Sequence, residues 1–349
     1  MIYYLASIFQ QYFGPLRLFQ SNTVLIIVGL FTAFLCTMIF LPRFFSKLPR
    51  DRGKEFSVGG AASAGKPTGA GVVFITLYVI VLLLLTPMNN SQLAVLLLTW
   101  IVMLTGYLDD KSVTPWGELK KGLLDFVLSL ITAFVLYYMR EPIFWVPFIS
   151  KTFTIHPALF ISITTVILWI SINTTNCTDG VDGLSGTLVL VALISMGTLF
   201  YFVQGHREIS QYLLVPHMRD GAQWGIMTFT LSGCLMAYLW YNAYPSRVLM
   251  GDAGSRALGF FLGVAVMVSG NPFLLIMTST MILVNGGTGL VKVALLRFFK
   301  IRIFSNVQFP LHDHMRKKRN WSPTQVLIKF TIMQILISLA TIGIFFKIR

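Results

Sequence analysis

Residues 173–186 read "NTTNCTDGVDGLSG" and stand between the apolar runs "ALFISITTVILWISI" (158–172) and "TLVLVALISMGTLFYF" (187–202). Two asparagines and two aspartates therefore occupy the junction of two segments made for hydrocarbon. The same pattern, a long apolar run followed by a short polar junction, recurs along all 349 residues. A helix rising 1.5 Å per residue needs about 20 apolar residues to cross roughly 30 Å of hydrocarbon. Ten such runs are expected, near 22–42, 70–86, 92–108, 121–139, 157–175, 185–203, 223–241, 255–270, 272–296 and 323–346. With 55% hydrophobic and 11% charged residues and a mean hydropathy of +0.74, the composition excludes an ordinary soluble domain. Strands of a membrane barrel would alternate polar and apolar residues, whereas these runs are continuously apolar. The expected fold is an all-α polytopic membrane protein: one integral unit over 1–349, with the basic loops 43–69 and 300–323 inside it.

Ten spans would put both termini on one side. Most of the 27 Lys and Arg residues fall in 43–69, 109–121, 242–257 and 292–329; the remainder are Arg17, Arg140, Lys151, Arg207, Arg219, Lys347 and Arg349. The positive-inside rule makes the first set cytoplasmic and both termini extracytoplasmic. The net charge of +14 is thus chiefly a topology signal, and nucleic acid is a poor partner for it. The start "MIYYLASIFQQYFG" lacks a basic n-region and a small-residue cleavage site, so the first span is expected to act as its own insertion signal. Cys36, Cys177 and Cys234 show no pairing pattern and read as small packing residues. In the ninth run, "MILVNGGTGLVKVALLRFFK" (281–300), Asn285-Gly286-Gly287 predicts a break or bend.

The acids are unevenly placed. Asp51, Glu55, Asp109, Asp110, Glu118, Asp125, Asp179, Asp182, Asp252 and Asp313 all fall on the basic side. Five of them end apolar runs in three places: "GYLDD", "DGVDG" and "MGDAGS". One acidic helix stop at an interface needs no explanation; three on one face, beside glycines or a second acid, point to a shared site. Adjacent Asp109 and Asp110 splay about 100° apart on a helix, so one can point inward, and like charges this close suit a general base. Asn173 and Asn176 share a helix face, as Asp179 and Asp182 would if the helix continued. Gly180, Gly183 and Gly186 are expected to break it and let a ligand approach the backbone. Asp252, between Gly251 and Gly254, suits Mg²⁺, which takes one or two carboxylates plus substrate phosphates. Lys121 should open the fourth span and reach back toward Asp109 and Asp110, while Lys66 closes the first basic loop.

Two features are weaker. His312 and His314 face one way only in an extended chain, and structural zinc usually takes four ligands; phosphate contact is the better use for them. "GAASAGKP" (60–67) imitates a phosphate-binding loop, but Pro67 fills its Ser/Thr position and a membrane span follows.

The ordered set "LDD" (108–110), "NTTNCTDGVDGLSG", "GDAGSRALG" (251–259) and "PLHDHMRKKRNW" (310–321) resembles the polyprenyl-phosphate N-acetylhexosamine-1-phosphate transferase superfamily, and within it the phospho-N-acetylmuramoyl-pentapeptide-transferase family. The resemblance spans nearly the whole chain. It implies an Mg²⁺-dependent enzyme of the bacterial cytoplasmic membrane with its site on the cytoplasmic face. Such an enzyme moves phospho-N-acetylmuramoyl-pentapeptide from UDP-MurNAc-pentapeptide to undecaprenyl phosphate, giving lipid I and UMP; a homodimer fits the family. By resemblance Asp109 and Asp110 match the paired catalytic acids, with Asp109 a base for the lipid phosphate. Asp252 matches the metal ligand, with Asp179 beside it. Asn173, Asn176, Asp179, Asp182 and Gly183 match the nucleotide and metal pocket, and Lys121 a basic residue near the diphosphate. The chain departs from the family where three consecutive histidines become His312-Asp313-His314. It departs again where Ser63 replaces a loop lysine, a charge that Lys66 is expected to supply. The competing readings are a UDP-N-acetylglucosamine transferase of the same superfamily and, in another class, a cation transporter, which would carry acids near mid-membrane.

Overall fold

A computed structural model describes residues 2–53, 63–146 and 151–347. In chain order its helices are α1 (Ile2–Phe9), α2 (Asn22–Phe44), α3 (Gly71–Leu85), α4 (Asn90–Lys111), α5 (Glu118–Met139), α6 (Pro157–Thr178), α7 (Leu184–Thr198), α8 (Arg207–Tyr212), α9 (Gly221–Asn242), α10 (Gly251–Val268), α11 (Leu274–Ile282), α12 (Thr288–Ala294), α13 (Leu311–Arg319) and α14 (Pro323–Lys347). A short antiparallel hairpin pairs β1 (Ile143–Trp145) with β2 (Thr152–Thr154). The protein is an all-α polytopic membrane protein, and each of the ten expected runs coincides with a helix. Among the described residues eight helices are long and apolar enough to cross a membrane, counting α7 with its π-helical extension to Gln204 and α11 with α12 as one each. Outside those eight, α3 is only 15 residues long and α9 is richer in Ser, Thr and Gly. Parts of the first basic loop, residues 54–62, lie outside the described residues, including the start of "GAASAGKP".

The core is built around α10. Every residue from Ala253 to Val268 is buried, because α3, α4, α6 and α7 pack around it. Small residues permit this closeness where hydrocarbon supplies no hydrophobic drive between helices. Gly71 of α3 lies against the backbone of Gly254, and Gly106 of α4 against the carbonyl of Asp252; a Cβ at either would collide with main chain. The start of α10 is thereby drawn to the ends of α3 and α4. At the other end of α10 the hairpin is pinned by Trp145, whose amide donates to Gly270 O (3.0 Å) and whose indole donates to Ser269 O (2.7 Å).

The ninth run is broken as expected, and in two places. Residues 283–287, with the glycine pair, form a π-helical stretch between α11 and α12. Inside α11, Ser279 leaves helical geometry at φ −132°. Backbone groups freed within a membrane need new partners. Gln334 of α14 supplies them: its Oε1 accepts from the Met281 amide (2.8 Å) and its Nε2 donates to Thr278 O (2.5 Å). The second basic loop differs from expectation too, because part of 300–323 is the helix α13, with His312 and Asp313 buried and four basic residues in its last turn, where the helix dipole favours them.

Candidate active site

The polar junction that opens the sequence is a tight turn between two helices. α6 ends at Thr178 and α7 begins at Leu184, with Gly183 at φ +77° donating its amide to Asn242 Oδ1 (2.8 Å). Gly180 lies in the break, but Gly186 does not: it sits inside α7, buried against Leu239. The helical phase ends before Asp182, so Asp179 and Asp182 do not share a helix face.

Four helices converge on Lys121. The ammonium, near the start of α5, lies 2.5 Å from Asp109 Oδ2 at the end of α4 and 2.9 Å from Asp252 Oδ2 at the start of α10. Asn176 of α6 donates to the other Asp252 oxygen (3.0 Å) and to Ser255 Oγ (3.0 Å). The second Asp109 oxygen accepts from the Trp116 amide (2.7 Å). Lys120, one residue earlier, stacks on the Trp116 ring at 3.6 Å, leaving Lys121 to turn inward.

The paired acids divide their work. Lys121 reaches Asp109 but not Asp110, contrary to the expectation that it would address both. Asp110 accepts from the amides of Asp252 and Ala253, each at 3.0 Å, and so caps the first turn of α10. A carboxylate there satisfies two donors that a helix leaves unpaired and complements its dipole. Gly251, at φ +67°, makes room for this carboxylate, with which any Cβ would collide.

The remaining residues fall around this centre. Asn173 turns its amide back to Trp169 O on its own helix (2.9 Å). Asp182 accepts from the Ser246 amide (2.9 Å) and lies 3.7 Å from Lys66, whose ammonium also donates to Ser246 Oγ (2.9 Å). Ser63 instead donates to Asp51 (2.6 Å). His312 is buried, with its ring nitrogen against the backbone of Gly180, so α13 folds back onto the α6–α7 turn. His314 points elsewhere and accepts from the Gln308 amide (3.2 Å), as expected for residues two apart on a helix.

Sequence reasoning missed three partners. Asn285 was legible only as part of a helix break, yet its side chain accepts from the His312 amide (2.8 Å) and meets the His312 ring (3.0 Å). Asp125 and Arg256 form a buried ion pair between α5 and α10. The signal for them was spacing, since each lies one turn beyond Lys121 or Asp252.

Among the described residues no three His, Cys, Asp or Glu side chains form a ready metal cluster. Asp252 holds the Lys121 ammonium on one oxygen and the Asn176 amide on the other.

A family model described as "Glycosyl transferase family 4" matches residues 92–270, from α4 to the end of α10. A phospho-N-acetylmuramoyl-pentapeptide-transferase of Treponema pallidum is 56% identical over 97% of this chain and 94% of its own length. The chain belongs to the phospho-N-acetylmuramoyl-pentapeptide-transferase family. Relatives of the same name in Helicobacter hepaticus and Wolinella succinogenes are 31% and 28% identical, each over 96% of this chain and 97% of their own. The site described above is made almost wholly by the segment that the family model covers, with Lys66, Asn285 and His312 added from outside it.

Proposed function

We propose that this protein transfers phospho-N-acetylmuramoyl-pentapeptide from its UDP-linked donor to undecaprenyl phosphate, forming lipid I and releasing UMP, at the cytoplasmic face of a bacterial membrane. The observation that carries this reading is Lys121, bridging Asp109 and Asp252 where four helices end. Attack of a phosphate on a diphosphate must overcome repulsion between anions, so catalysis rests on positive charge fixed where negative charge develops. Lys121 is such a charge, held in place before substrate arrives. Asp252, with Asp179, would hold Mg²⁺, which when bound neutralises the donor's diphosphate. Asp109 can accept a proton from the lipid phosphate, Asn173 can hydrogen-bond the nucleotide, and buried His312 can donate to a phosphate oxygen. Lys66 restores beside Asp182 the charge that Ser63 lacks. The site lies on the basic side of the chain, where a nucleotide arrives from water and a prenyl phosphate from the bilayer. A transporter would instead place acids along a path through the membrane.

The test is UMP release by purified protein reconstituted with undecaprenyl phosphate and Mg²⁺. UDP-N-acetylmuramoyl-pentapeptide and UDP-N-acetylglucosamine are offered in parallel, with Asp252→Asn as control. Release with the first donor alone, abolished in the variant, is expected. Release with the second donor would reassign the substrate, and release with neither would overturn the reading.

A further inference from the structure

The buried pair Asp125–Arg256 contributes nothing to the reaction as drawn so far, and it is an unusual way to join two membrane helices. Both side chains are 2% exposed. Arg256 donates from Nε (3.0 Å) and from a terminal nitrogen to the same Asp125 oxygen, and its other terminal nitrogen, NH1, is buried without a partner. Removing two charges from water is costly, and apolar residues of similar size commonly stabilise a fold as well or better. Stability is therefore a poor explanation for this pair.

Its placement offers another. Lys121 and Asp125 are one turn apart on α5, and Asp252 and Arg256 are one turn apart on α10. The helices are thus joined by two rungs, Lys121–Asp252 and Asp125–Arg256, about 6 Å apart along the axis. The rungs have opposite polarity: the cation belongs to α5 in the first and to α10 in the second. If α5 slid one turn in one direction, Lys121 would face Arg256. If it slid one turn the other way, Asp125 would face Asp252. Either slip sets like charges together where the dielectric is low and repulsion strong. Both helices pack on α4 and α6, and the two rungs tie them to each other directly.

We propose that Asp125 and Arg256 are positioning residues, a register lock that holds α5 against α10 so that Lys121 sits on Asp252. The inference rests on the proposed transferase site for its effect on rate, but the register itself is measurable without activity.

The test uses the full-length protein in nanodiscs. Asp125→Leu with Arg256→Leu removes both charges together, so no buried charge is orphaned. A reversed pair, Asp125→Arg with Arg256→Asp, keeps an ion pair but gives both rungs the same polarity. Spin labels at Tyr138, exposed in the last turn of α5, and at Phe273, exposed between the end of α10 and the start of α11, report axial slip by their distance distribution, in a background with the three native cysteines replaced. The apolar double variant is expected to keep the parental Tm, lose about tenfold or more in kcat with less than about threefold change in donor KM, need more Mg²⁺ for half-maximal rate, and broaden the distance distribution. The reversed pair is expected to stay slow and broad, because its slipped register is also paired. An unchanged distance distribution in both variants, or full kcat in either at unchanged Tm, would overturn the lock. Loss of Tm in step with kcat in both variants would overturn it as well, showing a brace for the fold. If the parent protein releases no UMP, the transferase reading fails, while the distance measurement still decides the register.

Discussion

The two ends of the helix bundle both carry buried or half-buried charge, and they use it differently. At the end formed by Ser91, Arg140, Gln204, His217 and Gly270 a cavity of about 890 Å³ opens. Its charges are balanced: Asp220 takes two hydrogen bonds from Arg140 (2.7 and 3.2 Å), one from Trp224 (3.0 Å) and one from Asn89 (3.1 Å). Each of these partners comes from a different part of the chain, so the carboxylate ties three helix ends together and has little capacity left. At the Lys121 end, Lys121 faces Asp109 and Asp252, Lys66 faces Asp182 and Asp110 caps α10, so among these groups the acids outnumber the bases. A balanced cluster staples a fold, whereas an unbalanced one needs a cation and can bring it to an anionic substrate. The charge count distinguishes the two.

The comparison breaks most sharply at Asp252. Asp252→Asn should lower UMP release at least about 100-fold with the fold intact by circular dichroism, because the carboxylate that holds the Lys121 ammonium, and in the proposed reading the cation, is lost. Near-normal turnover would mean that the acidic end is itself a staple. Lys121→Met should come next, at roughly 100-fold in kcat, with a lower Tm as well, since it removes the ammonium between two carboxylates and leaves them facing each other. Asn285→Ala should cost about tenfold in kcat by freeing the His312 ring, with a smaller change in KM; equal loss in both would assign Asn285 to binding.

At the opposite end the readout reverses. Asp220→Asn should leave kcat within about twofold and lower stability by roughly 1–2 kcal/mol, a buried-pair loss reduced for partial exposure. Its pH dependence has a definite sign. Burial pushes the Asp220 carboxyl up, but the hydrogen bonds and charge of Arg140, with Trp224 and Asn89, outweigh that and hold it below the ordinary carboxylate value. A depressed folded-state pKa gives stability that is complete above the unfolded value near 4 and is lost as pH falls through the folded one. Melting curves between pH 7 and pH 3 should therefore show the parent losing more Tm on acidification than Asp220→Asn. The smallest effect belongs to Lys120→Met, which loses only an exposed stack on Trp116, worth under about 1 kcal/mol, and should turn over within about twofold of the parent. A large loss there would merge the roles of the two adjacent lysines.

Most of the fold was legible because the bilayer imposes a simple rule: apolar runs long enough to cross it become helices, and each of the ten runs did so. The break in the ninth run was legible from its glycine pair, but the second break at Ser279 was not, because its compensation comes from Gln334, more than fifty residues away. In the site, the acids at helix ends announced themselves by their cost. Which of them meet was not readable. Asp109 and Asp110 are neighbours in sequence, yet one pairs with Lys121 and the other caps α10.

Sequence alone thus determined an all-α membrane protein with a polar centre built from residues 109–121, 173–183 and 252, because hydropathy and the price of charge in lipid act locally. Only the tertiary structure decided that Lys121 joins Asp109 to Asp252, that Asn285 holds His312 against Gly180, and that Asp125 and Arg256 form a second rung. Those pairings depend on the register between helices distant in the chain, and register is set by side chains meeting across space, for which no one-dimensional pattern carries a sign.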